Sequence, residues 1–145
     1  MPLQAGETFR EIGSDNADPH WWIVVSDPGA FPDNLVVVNF TTLRPRKDQS
    51  CLIPSGYQLN DAVRFDCDKC VAYHFAKITT TEKLISRADR GEIEMPGRAR
   101  AVILTRVREG AGRTRALPAG VKRELLRQGI IKEVGAFWLR PLDRA

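Results

Sequence analysis

Two short apolar segments separated by a turn constrain the fold of this chain more than any other feature. Residues 20–27 and 34–42 are rich in Val, Ile and aromatic residues, and Pro, Gly and Asp dominate the segment between them. Apolar runs of this length and composition, bounded by turn formers, are typical of buried strands. We therefore predict an antiparallel pair of strands, which carries His20 and Thr41 on neighbouring elements where a general base and a hydroxyl donor can converge.

Shorter signals predict the remaining elements. Turn residues and apolar patterns favour strands over residues 6–12, 51–54 and 69–78 and a helical turn over 81–86. Helical spacing, with a proline at the start and a glycine after the end, predicts helices over 96–109 and 119–128. A strand over 101–107 is the alternative to the first of these helices. Strands followed by helices indicate an α+β fold, with a small, strongly bent antiparallel β-barrel followed by C-terminal helices.

Length and composition predict one domain. The chain has 145 residues, of which 43% are hydrophobic, so it can bury an ordinary core. We place a β-barrel core in residues 1–80, interrupted by a polar loop at 13–19. A helical extension packed on the same domain follows in 81–134, and a C-terminal tail in 135–145. No apolar run approaches the length of a membrane span and the first residues lack a secretory pattern, so we expect a cytoplasmic protein without a membrane partner.

Basic charge is concentrated in the C-terminal part of the chain. Residues 97–128 contain nine Arg or Lys and two Glu, a local charge of +7, whereas residues 1–96 contain ten basic and fourteen acidic residues, a local charge of −4. Such asymmetry suits contact with a polyanion or an acidic protein. The alternative is a solvated helix surface.

The three cysteines allow two interpretations, free thiols or a zinc site. An odd count without an export signal argues against disulfides and favours buried or half-buried free thiols. The spacing of Cys67, Cys70 and His74, with Cys51 upstream, nevertheless allows a zinc-stabilised regulator as an alternative.

Several enzyme classes are disfavoured because their motifs are missing. The sequence contains no glycine-rich phosphate loop, no Gly-x-Ser-x-Gly elbow and no His-Glu-x-x-His helix. We therefore expect no cofactor and no catalytic metal, which leaves side-chain chemistry or plain binding.

The order of the first strands resembles the MazF/PemK toxin family. Residues 6–9 read Gly-Glu-Thr-Phe, residues 20–26 read His-Trp-Trp-Ile-Val-Val-Ser, and the next apolar strand ends in Asn39-Phe-Thr-Thr. In that family a strand opening with Gly-Asp/Glu precedes an Arg-Pro-x-x-Val-Val-Ser strand, and the next strand ends in Pro-x-Thr-Ser. The resemblance covers about the first half of the chain. His20 stands where the family usually has its catalytic Arg, Asn39 replaces its Pro, and the basic helical tail has no counterpart.

The resemblance implies an SH3-like barrel that acts as the toxin of a type II toxin–antitoxin pair. Such a protein is a homodimer, cleaves single-stranded RNA without metal and is silenced by a cognate antitoxin protein. By position, His20 would act as general base or acid and Thr41 would bind the scissile phosphate. The expected contacts to RNA and its phosphates come from Trp21, Thr42, Arg44, Arg46 and Lys47.

A non-catalytic barrel module that binds RNA or a protein partner is the alternative function. In that case His20 would cap the polar loop, Thr41 would only favour the strand conformation, and the basic loop after it would be solvated. Trp21 and Trp22 point to opposite faces of a strand, so we expect one in the core and the other partly exposed.

Overall fold

The computed structural model of the protein describes residues 2–12 and 19–132. Residues 13–18 of the predicted polar loop and the predicted tail at 135–145 lie outside the described residues. Among the helices of the described ranges, none is long and apolar enough to cross a membrane.

Across the described residues the chain forms an antiparallel sheet. Its strands are β1 (Glu7–Glu11), β2 (Trp22–Val24), β3 (Leu35–Thr42), β4 (Leu52–Ile53), β5 (Lys69–Val71), β6 (Lys77–Thr79) and β7 (Ile93–Arg98). They are ordered β4-β5-β3-β2-β1-β7, and β6 also pairs with β3. The α+β class and the antiparallel sheet are confirmed, including the predicted pairing of the two apolar segments as β2 and β3. The sheet is not closed: within the described ranges its two end strands, β4 and β7, do not pair with each other.

Strand β3 lies inside the sheet, and both of its faces are covered. All six residues from 35 to 40 are buried, which explains why this strand reads as a continuous apolar run rather than an alternating one. Val36, Val38 and Phe40 belong to one apolar cluster, whereas Leu35 and Val37 belong to another on the opposite face.

In the part of the chain that the structure describes, three helices cover the two faces of the sheet. Helix α1 (Thr81–Asp89) buries Leu84 against the face of Leu35 and Val37. Helices α2 (Ala101–Arg113) and α3 (Ala119–Arg127) bury apolar side chains against the face of Val36 and Val38. The backbone N–H of Lys83 donates to the Thr80 hydroxyl at 3.0 Å, which caps α1.

The predicted single strand over 69–78 is wrong. The chain pairs with the end of β3 through β5, makes a 3-10 turn at Tyr73–Phe75, and then pairs with the start of β3 through β6. At the interruption, the backbone N–H of Ala72 donates to the Asn39 carbonyl at 2.9 Å. The interruption lets two short strands pair with the two ends of one long strand, which the local sequence pattern does not reveal.

The start of the predicted helix over 96–109 is also wrong. Residues 96–98 belong to β7, which pairs Arg98 with Glu7 and Gly97 with Thr8, and helix α2 begins only at Ala101. Pro96 is tolerated because β7 ends the sheet path, and an edge strand does not need every N–H in a ladder. The alternative strand over 101–107 is wrong, since these residues are helical. The segment predicted as helical therefore also supplies a strand.

Candidate functional site

His20 and Trp21 line a groove of about 410 Å³ beside the start of β2. The side chains come from distant parts of the sequence: β1, the residues before β2, β3, β5, and the connection between β4 and β5. We call it the His20 groove; its polar and aromatic lining includes Arg10, His20, Trp21, Arg64, Asp66 and Lys69.

The aromatic wall of the His20 groove is held in place by Arg10. Trp21 is half-buried and packs against the apolar cluster of Phe40. The Arg10 guanidinium lies 4.7 Å from the centre of the Trp21 ring and pairs with Glu94 of β7. His20 itself is exposed, so its imidazole is accessible to a ligand in the groove. Trp22, on the opposite face, is also half-buried, so the two tryptophans take different faces as predicted but neither lies wholly in the core.

Two cations in the groove have no carboxylate partner among the described residues. Arg64 donates to the Gly56 carbonyl at 2.9 Å. Lys69 donates to the Thr42 hydroxyl at 3.4 Å, and its ammonium lies 5.7 Å from the centre of the Phe65 ring. Their positive charge is therefore available to an anion, although Asp66 also lines the groove.

The wall that carries Arg64 and Phe65 is anchored by a buried asparagine. The Asn60 side-chain carbonyl accepts from the backbone N–H groups of Ala62 at 2.8 Å and Val63 at 2.9 Å. Phe65 packs against Phe40 of β3 with ring centres 5.3 Å apart. This connection is thus an ordered part of the groove.

The structure does not place Thr41 in the His20 groove. Successive side chains of a strand alternate between faces, and Phe40 lines the groove, so Thr41 points away from it. Thr41 is 7% exposed, and its hydroxyl accepts from the Lys47 ammonium at 3.4 Å. Thr42, in contrast, is linked to the groove through Lys69.

The basic loop after β3 also lies apart from the groove. Arg44 and Arg46 are exposed in a turn in which the Lys47 N–H donates to the Arg44 carbonyl at 3.0 Å. None of these three residues lines the groove. The roles of Thr41, Arg44, Arg46 and Lys47 stay predictions, whereas Arg10, Arg64 and Lys69 were missed because each is isolated in the sequence from other basic residues of the groove.

The residues of the zinc alternative do not form a metal site. Cys51 and Cys70 are only 2% and 1% exposed. Burial raises the pKa of the Cys51 thiol to about 11 and also raises the pKa of Cys70, which favours neutral thiols over metal-binding thiolates. Within residues 2–12 and 19–132, no three His, Cys, Asp or Glu side chains are grouped so that they could hold a metal.

Three arginines of the basic C-terminal part dock helix α2. Arg108 donates twice to the Val25 carbonyl, at 3.0 and 2.6 Å, and burial lowers the pKa of its guanidinium. Arg113 donates to the Ser50 carbonyl at 2.7 Å, and Arg106 lies 5.0 Å from the centre of the Tyr57 ring. These arginines bind backbone carbonyls and an aromatic ring of the same chain, a role that neither interpretation of the charge asymmetry anticipated.

The described residues thus define a small α+β protein with a cationic, aromatic groove at one side of an antiparallel sheet. No family model, curated protein or solved structure matches this chain.

Proposed function

We propose that the protein binds single-stranded RNA in the His20 groove and cleaves it, as a toxin-like endoribonuclease of the MazF/PemK type. The observation that carries the proposal is that the accessible imidazole of His20 shares one groove with Trp21 and with the cations Arg64 and Lys69, which have no carboxylate partner among the described residues.

The binding argument rests on charge and stacking. Lys and Arg side chains supply most of the affinity for a phosphate backbone, and aromatic side chains stack bases without strong sequence preference. Arg64 and Lys69 lie on the same groove as Trp21. A single strand can present a phosphate to the cations while an unstacked base contacts the exposed part of the tryptophan.

The cleavage step needs only groups of this groove. His20 takes the proton of a ribose 2′-hydroxyl, whose oxygen attacks the adjacent phosphorus. The bond from phosphorus to the 5′-oxygen then breaks, leaving a 2′,3′-cyclic phosphate and a 5′-hydroxyl that takes a proton from solvent. Arg64 and Lys69 stabilise the negative charge that develops on the phosphate oxygens. This chemistry requires no metal.

The remaining properties belong to the same proposal. The chain order of β1, β2 and β3 follows the order of strands on which the resemblance to the MazF/PemK family rests, and we propose that this antiparallel sheet is a relative of the SH3-like barrel. We accordingly propose a cytoplasmic homodimer that is silenced by a cognate antitoxin protein.

The test compares wild-type protein with His20→Ala on single-stranded RNA oligonucleotides in the presence of EDTA. We expect the wild type to produce 2′,3′-cyclic phosphate ends. A general base contributes about 10²–10⁴-fold to the rate. The cleavage rate of His20→Ala should therefore fall by at least about a hundredfold, whereas the variant should still bind RNA. Since His20 is exposed, its removal should leave the thermal unfolding midpoint unchanged. Lys122→Ala, on the exposed side of α3, is the matched control and should cleave normally.

Induced expression gives the corresponding readout in cells. Wild-type protein should arrest growth and His20→Ala should relieve the arrest at equal protein level. A fully toxic His20→Ala variant would show that His20 is not the base.

A non-catalytic RNA-binding module is the second candidate, and the orientation of Thr41 away from the groove favours it. In that case wild-type protein and His20→Ala would both bind RNA, and neither would release cyclic phosphate ends. Arg64→Gln and Lys69→Gln would weaken binding in either case, so these variants test the groove independently of cleavage.

A further inference from the structure

A second pocket, of about 390 Å³, lies between the sheet and helix α1. It is formed on the face of Leu35 and Val37 and shares no lining residue with the His20 groove. We call it the α1 pocket. Its volume falls within the range of roughly 300–1,000 Å³ that is usual for sites of small ligands.

The floor of the α1 pocket is apolar. Phe9 of β1, Val37 of β3 and Leu84 of α1 line it, and all three belong to one buried cluster. Phe9 is held by a stack with Trp22, at 6.0 Å between ring centres and 10° between planes. This floor suits a compact apolar group, and an aromatic ring can pack against Phe9.

The rim of the pocket is cationic. Lys83 and Arg87 of α1 and Arg90, the C-cap residue of that helix, are spaced i, i+4 and i+7, so they lie on one face. Lys77 of β6 also lines the rim. Glu82 is the one carboxylate among the lining residues. The rim therefore carries a formal charge of +3, from four cations and one carboxylate.

The four cations differ in how far they are neutralised. Arg87 lies 3.3 Å from Glu92 and 3.6 Å from Glu11, and Arg90 lies 2.6 Å from Glu92. Among the described residues, Lys77 and Lys83 pair with no carboxylate. Lys77 is instead placed over Trp22, with its ammonium 4.6 Å from the ring centre. The two arginines are already paired with carboxylates. An incoming negative charge would therefore interact mainly with the two lysines.

We propose that the α1 pocket binds a small organic anion, an aromatic or similarly compact apolar body that carries a carboxylate or sulfonate. The body contacts Phe9 and Leu84 at the floor of the pocket, with the fully buried Val37 behind them, and the anionic group lies between Lys77 and Lys83. The site does not depend on the RNA function proposed above.

The test measures binding of 2-naphthoate and of its neutral analogue 2-naphthamide to the full chain by isothermal titration calorimetry at low ionic strength. Naphthoate should bind at one site per chain and more tightly than naphthamide. Lys77→Gln and Lys83→Gln should each weaken naphthoate binding by about two- to fivefold, the range for a solvated ion pair, and leave naphthamide binding unchanged. Lys122→Gln on α3, at an exposed lysine that does not line the pocket, is the control and should bind both compounds as the wild type does.

A second variant locates the site. Ser86 lines the pocket from α1 and is half-buried, so Ser86→Trp should fill the cavity and abolish binding of both compounds while the protein keeps its thermal transition. Saturable binding that survives Ser86→Trp would place the ligand elsewhere and overturn the proposal. Equal affinity for naphthoate and naphthamide, or no saturable binding of either, would overturn it as well.

Discussion

Asn60 donates its side-chain amide to the hydroxyl oxygen of Thr8 at 2.8 Å, across 52 residues of sequence. Thr8 in turn donates to the Gly97 carbonyl of β7 at 2.6 Å. Both side chains are buried, at 2% and 0% exposure. This pair therefore ties the connection between β4 and β5, which forms one wall of the His20 groove, to the two strands at the end of the sheet.

Asn60→Ala should destabilise the protein and also weaken RNA binding. The substitution removes the donor to the Thr8 hydroxyl oxygen and leaves two backbone N–H groups without their acceptor, at a cost of about 1–3 kcal/mol. It also frees the wall that carries Arg64, so RNA affinity should fall. Urea unfolding and fluorescence anisotropy with labelled RNA measure the two effects.

Asp61→Ala is the neighbouring control. The Asp61 side chain is fully exposed and forms a solvated ion pair with Arg100 at 3.5 Å, so its removal should change the free energy of unfolding by less than about 0.5 kcal/mol. Unchanged RNA affinity in a folded Asn60→Ala variant would contradict the positioning role.

Two glycines of helix α2 should respond to alanine in opposite directions. At Gly110 an added Cβ would overlap the Tyr73 hydroxyl oxygen and lie 2.7 Å from Cys51 Cβ and 2.9 Å from the Ser50 carbonyl oxygen. Gly110→Ala should therefore destabilise the protein by about 2–3 kcal/mol or more, because it forces α2 off the sheet. At Gly112 the nearest atom is 4.0 Å away, so Gly112→Ala should stabilise by about 0.5–1 kcal/mol through helix propensity. The thermal unfolding midpoints of the two variants measure these effects. Similar shifts in both would show that close packing at Gly110 does not require a glycine there.

The contribution of Asp48 to stability should depend on pH. Burial raises the pKa of this carboxyl, but hydrogen bonds from Ser50 and Thr114 outweigh burial and hold it below the ordinary value of 3.8. The folded state therefore favours the carboxylate, and the stabilisation is present above that ordinary value and is lost as pH falls through the lower pKa of the folded state.

Asp48→Asn should consequently be less stable than the wild type at pH 7, by about 1 kcal/mol because the carboxylate is partly solvated. The difference in stability between the two proteins should become smaller as the pH falls below 3.8. Thermal unfolding of both proteins between pH 7 and pH 2.5 measures it. Asp33→Asn, at an exposed carboxylate without a hydrogen bond among the described residues, should give no such pH-dependent gap. A gap for Asp48→Asn that is constant with pH would exclude the carboxylate as its source.

One thiol of the native protein should react quickly with a disulfide reagent at pH 8. Cys51 and Cys70 are buried, and burial raises the pKa of both thiols, whereas Cys67 is half-buried beside the Thr42 hydroxyl at 3.8 Å. We expect one fast reaction in buffer and three in denaturant. Cys67→Ser should abolish the fast reaction, and a native protein in which all three thiols react at one rate would disprove the burial of Cys51 and Cys70.

Local signals predicted the elements whose residues decide their own conformation. The apolar runs that became β2 and β3, the turn between them, and the proline and glycine that delimit α3 are all read from neighbouring residues. The same reasoning failed for β7, because Pro96 and Gly97 disfavour a strand locally and only pairing with β1 makes one. It failed over 69–78 because the interruption at Tyr73–Phe75 depends on pairing with both ends of β3, which lies elsewhere in the chain.

The sequence by itself determined the α+β class, the central strand pair and the position of His20 and Trp21 before β2, since each depends on periodicity and turn residues within a few positions. Tertiary structure alone decided which side chains meet them. Arg10, Arg64 and Lys69 reach the groove from three separate segments, whereas Thr41, the neighbour expected from the strand pairing, points to the other face. The physical reason is that strand alternation is local, but the contents of a groove depend on long-range pairing and on loops anchored by contacts such as that between Asn60 and Thr8.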